Sequence, residues 1–126
     1  MSVTLDASAV LAVVFDEAGA DRVLPELAGA AISAVNVAEV AAKMVDRGFD
    51  WTDARAAINR FGLFVTPMDA PQAYASGALR RPTRSAGLPL GDRACLALAR
   101  RDGARVLTAD RSWAGLDLGV EVDVIR

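Results

Sequence analysis

Short apolar runs of strand character alternate with stretches of helical periodicity along almost the whole chain, and this alternation restricts the fold more than any other feature. Ser2-Val-Thr-Leu-Asp6 reads as a short buried strand, and Ala7 to Asp16 carries Val10, Val13 and Val14 at helical spacing. A second helix is expected from Ala20 to Ala28, with Pro25 limiting its regularity. Ala30 to Ser33 is a strand, Val35 to Arg47 a helix closed by Gly48, and Trp51 to Phe61 a helix capped by Asp50 or Thr52 and stopped by Gly62. The strand Leu63 to Thr66 ends at Pro67. Pro71 to Arg80 reads as a helix, Arg81 to Pro89 as a loop, and Leu90 to Asp102 as a strong helix with Gly103 just past its end. Arg105 to Thr108 and Val120 to Ile125 complete the strands.

Strands and helices alternating at this spacing imply an α/β three-layer domain with a parallel sheet. No Gly/Ser linker, repeat or low-complexity tract divides the 126 residues, so one domain over 1–126 is expected. In such sheets ligands bind outside the carboxyl ends of the strands, which is where chemistry should be sought.

Composition narrows that chemistry. The chain has no histidine, which excludes a Ser/His/Asp triad, a Cys/His pair and His-ligated zinc. Its single cysteine, Cys95, cannot form an internal disulfide and reads as core. A hydrophobic fraction of 53% argues against disorder. The apolar stretch from Val3 to Phe15 is interrupted by Asp6 and Ser8, follows no basic segment and is shorter than the ~20 residues that span a bilayer. A soluble, cytoplasmic protein without a membrane role is therefore expected. The net charge of −2 gives no global nucleic-acid footprint, and all basic residues but Lys43 are arginine.

Two strands end in aspartate, Asp6 and Asp110, and both carboxylates should sit on one edge of the sheet. Taken singly, Asp6 could cap the next helix and Asp110 could start a turn. Asp92 lies near the start of its helix on the stripe that holds Leu96 and Ala99, with Cys95 beside them, so its carboxylate projects inward. A buried charge needs a partner, and a divalent cation is one that also attracts other carboxylates. Glu39 has the plainest alternative, an i,i+4 pair with Lys43 on a solvated face that Asn36 shares. Its place soon after the strand at Ile32 nevertheless puts it over the same sheet edge. Four acids in one cleft raise each other's pKa, and bound Mg²⁺ or Mn²⁺ compensates them, lowers the pKa of a water and neutralises a phosphate.

These residues resemble a known family. Asp6-Ala-Ser-Ala9, Ser33-Ala-Val-Asn36-Val-Ala-Glu39-Val40, Gly87-Leu-Pro-Leu-Gly-Asp92-Arg-Ala-Cys-Leu-Ala-Leu-Ala99 and Leu107-Thr-Ala-Asp110-Arg-Ser-Trp113 stand in the order and at the separations of PIN-domain proteins, specifically VapC-type toxins. The resemblance implies an α/β/α sandwich around a parallel sheet of about five strands and a metal-dependent endoribonuclease acting as the toxin of a toxin-antitoxin pair. Asp6, Glu39, Asp92 and Asp110 would be the catalytic quartet on Mg²⁺ or Mn²⁺, with Asp6 and Asp92 the most direct ligands. Ser8, Asn36 and Thr108 would hold those ligands by hydrogen bonds. Some such sequences carry a further acid shortly after the fourth; Ser112 stands near that place here, and Asp117 lies too far along. An antitoxin and a homodimer are the implied partners besides RNA.

For the RNA itself, Arg80, Arg81, Arg84 and Arg93 flank Asp92 in sequence and are candidate phosphate contacts, whereas Arg100, Arg101 and Arg105 read as helix-end or solvated residues. Trp51, Tyr74 and Trp113 are candidates for stacking on bases, with packing as the plainer role. Val14, Phe15 and Leu24 are candidates for an antitoxin groove. Other readings of an aspartate after a first strand fit less well: Asp6-Ala-Ser8 is not the Asp-x-Asp of haloacid-type phosphatases, and Lys43 is misplaced for a receiver domain. A PIN-type DNA nuclease and a binding module that only grips a partner's arginines are the remaining alternatives.

Overall fold

The computed structural model describes residues 2–126. Five strands, β1 (Val3–Leu5), β2 (Ala31–Ser33), β3 (Phe64–Thr66), β4 (Arg105–Thr108) and β5 (Val122–Val124), form one sheet in the order β3-β2-β1-β4-β5, with every pair parallel. Among the described residues six helices accompany them: α1 (Ala7–Val14), α2 (Ala20–Val23), α3 (Ala34–Asp46), α4 (Trp51–Arg60), α5 (Ala70–Ala78) and α6 (Leu90–Asp102). The three-layer α/β/α architecture is the one expected from the alternation.

Strand order assigns the layers. The chain leaves β1 through α1 and α2 to β2, then through α3 and α4 to β3, moving always toward one edge. It returns through α5 and α6 to β4 on the far side of β1. Right-handed crossovers in opposite directions place their helices on opposite faces. The pleat agrees: Leu5 and its register partner Leu107 join the core under α1 and α3, whereas Val106 turns to the other face and packs with Leu96, Ala99 and Leu88. β1 and β4 are therefore the neighbouring strands from which the chain departs in opposite directions, and the crevice of the sheet opens at their carboxyl ends.

Several elements differ from expectation for identifiable reasons. The helix expected from Ala20 to Ala28 is α2 followed by a 3-10 turn over Leu24–Glu26, because Pro25 cannot donate the hydrogen bond that a continuous helix needs there. Asp50 holds the N-cap position of α4 without bonding its backbone, its Oδ2 instead accepting from the Thr52 hydroxyl at 2.6 Å. Asp69 caps α5 by accepting from the Gln72 N–H at 2.9 Å, so the helix starts at Ala70. Arg105 opens β4 rather than closing a helix, and its guanidinium reaches Glu26 at 2.5 Å and Asp123 at 3.3 Å. Among the described residues no helix is long and apolar enough to cross a membrane.

A candidate active site at the carboxyl ends of β1 and β4

Asp6 directly follows β1 and is 4% exposed. It occupies the N-cap position of α1 but its side chain does not cap the helix. Its Oδ2 instead accepts from the Ser8 hydroxyl at 2.6 Å and from the Thr108 hydroxyl at 2.8 Å. Ser8 Oγ accepts from the Ala109 N–H at 2.9 Å, and Thr108 Oγ1 from the Asp110 N–H at 3.1 Å. Two hydroxyls thus tie the ends of β1 and β4 together around one carboxylate. Burial is the main influence on Asp6 and raises its pKa, the two hydroxyl hydrogen bonds oppose the rise, and the charge of Glu39 adds to it.

Glu39 lies in the second turn of α3, whose start follows β2 without a loop because Ser33 accepts from the Val35 N–H at 3.2 Å. Among the described residues it makes no ion pair with Lys43; its Oε1 accepts from the Asn36 amide at 2.8 Å. The same Asn36 Nδ2 donates to the Gly91 carbonyl at 2.9 Å, which fixes the start of α6 beside the start of α3 and so over the same sheet edge. Asn36 is fully buried, and its Oδ1 has no hydrogen-bond partner among the described residues. Gly91 completes the junction: a Cβ there would overlap the Glu39 carboxylate. Gly91 is thus a further residue of the site, and its only mark in the sequence is a glycine at the second position of a strong helix.

Asp92 follows Gly91 in the first turn of α6, with Pro89 and not Asp92 in the cap position. It is half-buried, above fully buried Cys95, Leu96 and Ala99, as the helical stripe implied. Burial first, and then the charges of Asp6, Glu39 and Asp110, push its pKa up to about 7, with Trp113 acting weakly in the other direction. All three other acids therefore lie close enough to be felt at Asp92. Cys95 beneath them is a neutral thiol, its pKa raised chiefly by burial. Asp110 is exposed and starts a 3-10 turn, its Oδ1 accepting from the Ser112 N–H at 2.9 Å and the Ser112 hydroxyl at 2.8 Å. The turn role and the place in the cleft coexist in Asp110.

Asp6, Glu39, Asp92 and Asp110 offer only hard oxygen ligands, and the rise that neighbouring carboxylates add to the pKa of Asp6 and of Asp92 marks a surplus of negative charge that a divalent cation fits. Among the described residues no group of three or more Cys, Asp or Glu side chains is already gathered closely enough to hold a metal ion. Chemically the donor set suits Mg²⁺ or Mn²⁺, and its carboxylates converge on one crevice without closing around a single point.

The other candidates are distributed differently. Arg80, Arg81 and Arg84 line a separate shallow cleft at the end of α5. Arg93 donates to the carbonyls of Leu88 at 3.3 Å and Ser76 at 3.0 Å, so its guanidinium anchors the loop before α6. Trp113 is fully buried and Trp51 and Tyr74 are exposed. Val14 and Phe15 are half-buried against the core, and Leu24 is exposed.

Fold and site define a class of α/β domain with acids at the switch point of a parallel sheet. The PIN domain family model matches residues 3–117, and the chain belongs to that family. The structure is similar to a toxin-antitoxin complex from Klebsiella pneumoniae (TM-score 0.78, 20% identity, covering 100% of this chain and 98% of that one). It is also similar to VapBC2 from Rickettsia felis bound to a promoter DNA fragment (TM-score 0.74, 19% identity, 100% of both chains). DNA-bound VapBC from Salmonella typhimurium is a third (TM-score 0.74, 16% identity, 100% and 99%). No curated protein matches the sequence.

Proposed function

We propose that this chain is the toxin of a toxin-antitoxin pair and a Mg²⁺- or Mn²⁺-dependent endoribonuclease acting in the cytoplasm. The observation that carries the reading is the convergence of Asp6, Glu39, Asp92 and Asp110 on the crevice between β1 and β4, where three acids raise the pKa of Asp92. PIN family membership and the likeness to toxin-antitoxin complexes support it.

In this reading Asp6 and Asp92 are the most direct metal ligands, with Asp110 and Glu39 completing the set or orienting water. When bound, the metal would neutralise the phosphate and lower the pKa of a water. Ser8 and Thr108 hold the Asp6 carboxylate in one orientation, and Asn36 does the same for Glu39. Side chains fixed in this way align the phosphate and the attacking oxygen in line. With water as nucleophile the 2′-OH takes no part, and the products carry a 5′-phosphate rather than a cyclic phosphate. Arg80, Arg81, Arg84 and Arg93 belong to this proposal as RNA contacts, and the partners are a cognate antitoxin and a second copy of the chain.

The test is cleavage of single-stranded RNA with Mg²⁺ or with a chelator, followed by end analysis. Asp6→Asn and Asp92→Asn are expected to abolish cleavage while the circular dichroism spectrum is kept. Undiminished cleavage in both variants, or cyclic-phosphate ends, would overturn the assignment. Expression should arrest growth, and arrest that persists with Asp6→Asn would point to a binding role instead.

A further inference from the structure

A second cleft, of about 400 Å³, lies between α1 and α3, lined by Ser8, Leu11 and Phe15 on one wall and by Lys43, Asp46 and Arg47 on the other. Ser8 belongs equally to the acidic crevice, because its hydroxyl donates to Asp6. The two clefts therefore meet at Ser8, and a ligand lying along α3 is led toward the carboxylates.

Charge changes sign along that wall. Glu39, Lys43 and Arg47 follow one another at four-residue steps, each ~6 Å further along the axis, on one side of the helix. Among the described residues neither Lys43 nor Arg47 is in an ion pair. The Arg47 guanidinium lies 4.2 Å over the Phe15 ring. Stacking of this kind holds the guanidinium in place while leaving its N–H edges for oxygen acceptors. Asp46 and Glu17 are also at the cleft, and Glu17 is engaged by Arg126 at 3.4 Å. With Glu17 offset by Arg126, the lining left for a ligand is two cations, Lys43 and Arg47, and one anion, Asp46, a net charge of +1 beside an aromatic ring and next to an acidic cluster that by itself repels a polyanion.

We propose that this cleft is the track of a single RNA strand, with Lys43 and Arg47 binding phosphates that flank the one held at the acidic cluster. The inference rests on the ribonuclease reading above and adds to it the residues that hold the strand. Cations beside an aromatic side chain are the usual equipment for single-stranded nucleic acid.

The test uses the full chain carrying Asp6→Asn and a labelled single-stranded oligoribonucleotide, titrated by fluorescence anisotropy in chelator at several salt concentrations. Adding Lys43→Gln and Arg47→Gln is expected to weaken binding roughly tenfold and to flatten the slope of log K against log salt by about 1.4, or ~0.7 for each lost phosphate contact. Arg60→Gln, at the end of α4 near the amino edge of the sheet, is the control that leaves both values unchanged. Unchanged affinity and slope in the double variant would overturn the track even if wild-type chain cleaves RNA and Asp6→Asn does not. Binding of an acidic peptide that depends on Lys43 and Arg47, with RNA binding unaffected, would assign the cleft to a protein ligand. Absence of both RNA binding and cleavage in the wild type would sink the ribonuclease reading and the track with it.

Discussion

Asp6 and Asp110 stand where a capping or turn aspartate would stand, and only their hydrogen bonds tell the roles apart. Asp6 leaves its helix uncapped and takes two hydroxyls, whereas Asp110 caps its turn and still faces the cleft. The sequence positions of the four acids were legible because strand-terminal and helix-initial residues of a parallel sheet share an edge. The Ser8 and Thr108 clamp on Asp6 links residues 102 positions apart in its longer arm, which no local pattern reports. Thr108→Val removes one donor to a buried carboxylate while keeping the volume, so it should cost about 1.5–3 kcal/mol in urea unfolding. Gly91→Ala makes the opposite pairing of effects. Alanine is the better helix former by up to ~1 kcal/mol, so thermal stability should hold or rise. The added methyl displaces the Glu39 carboxylate, and cleavage should fall by at least about tenfold. A variant that loses stability and keeps activity would remove Glu39 from the site.

At the scale of elements, helix and strand identity followed from periodicity, and boundaries moved where side chains took over backbone bonding. Asp69 capping α5 and Pro25 breaking the segment after α2 are two such places. Arg93 shows how an arginine beside a candidate active-site acid can read alike as ligand-binding or structural. Its bonds to Leu88 and Ser76 connect the end of α5 and the loop to α6 across 17 residues, a tertiary contact outside the reach of motif spacing. Arg93→Ala should therefore destabilise the fold by about 1–2 kcal/mol, since charged donors to carbonyls are worth more than neutral ones and this one is half-exposed. Urea unfolding measures that loss. RNA affinity in the Asp6→Asn background separates the two roles, because a phosphate contact would also flatten its salt dependence.

For the molecule as a whole, the crevice is where a parallel sheet leaves the ends of β1 and β4 uncovered, and the acids placed there work against folding. The carboxyl of Asp92 titrates near 3.8 when unfolded and at about 7 in the native chain. Between these values the native state keeps a proton that the unfolded state has released, so the Asp92 contribution to stability falls as pH rises through the window and the loss is complete above about pH 7. Asp92→Asn removes that titration. The metal-free variant should match or fall below the wild type near pH 4, gain on it steadily toward pH 7, and melt higher at pH 8, while losing cleavage. A divalent cation that binds only the folded chain stabilises it by ~2.7 kcal/mol at a hundredfold excess over its dissociation constant. Because protons compete for the same carboxylate, the Mg²⁺-induced rise in melting temperature should be larger at pH 8 than at pH 6, and Asp92→Asn should lose most of it at both. Thermal scans of wild type and variant at the two pH values, with and without Mg²⁺, read all four quantities. A wild-type rise that is equal at both pH values would mean that the cation binds elsewhere.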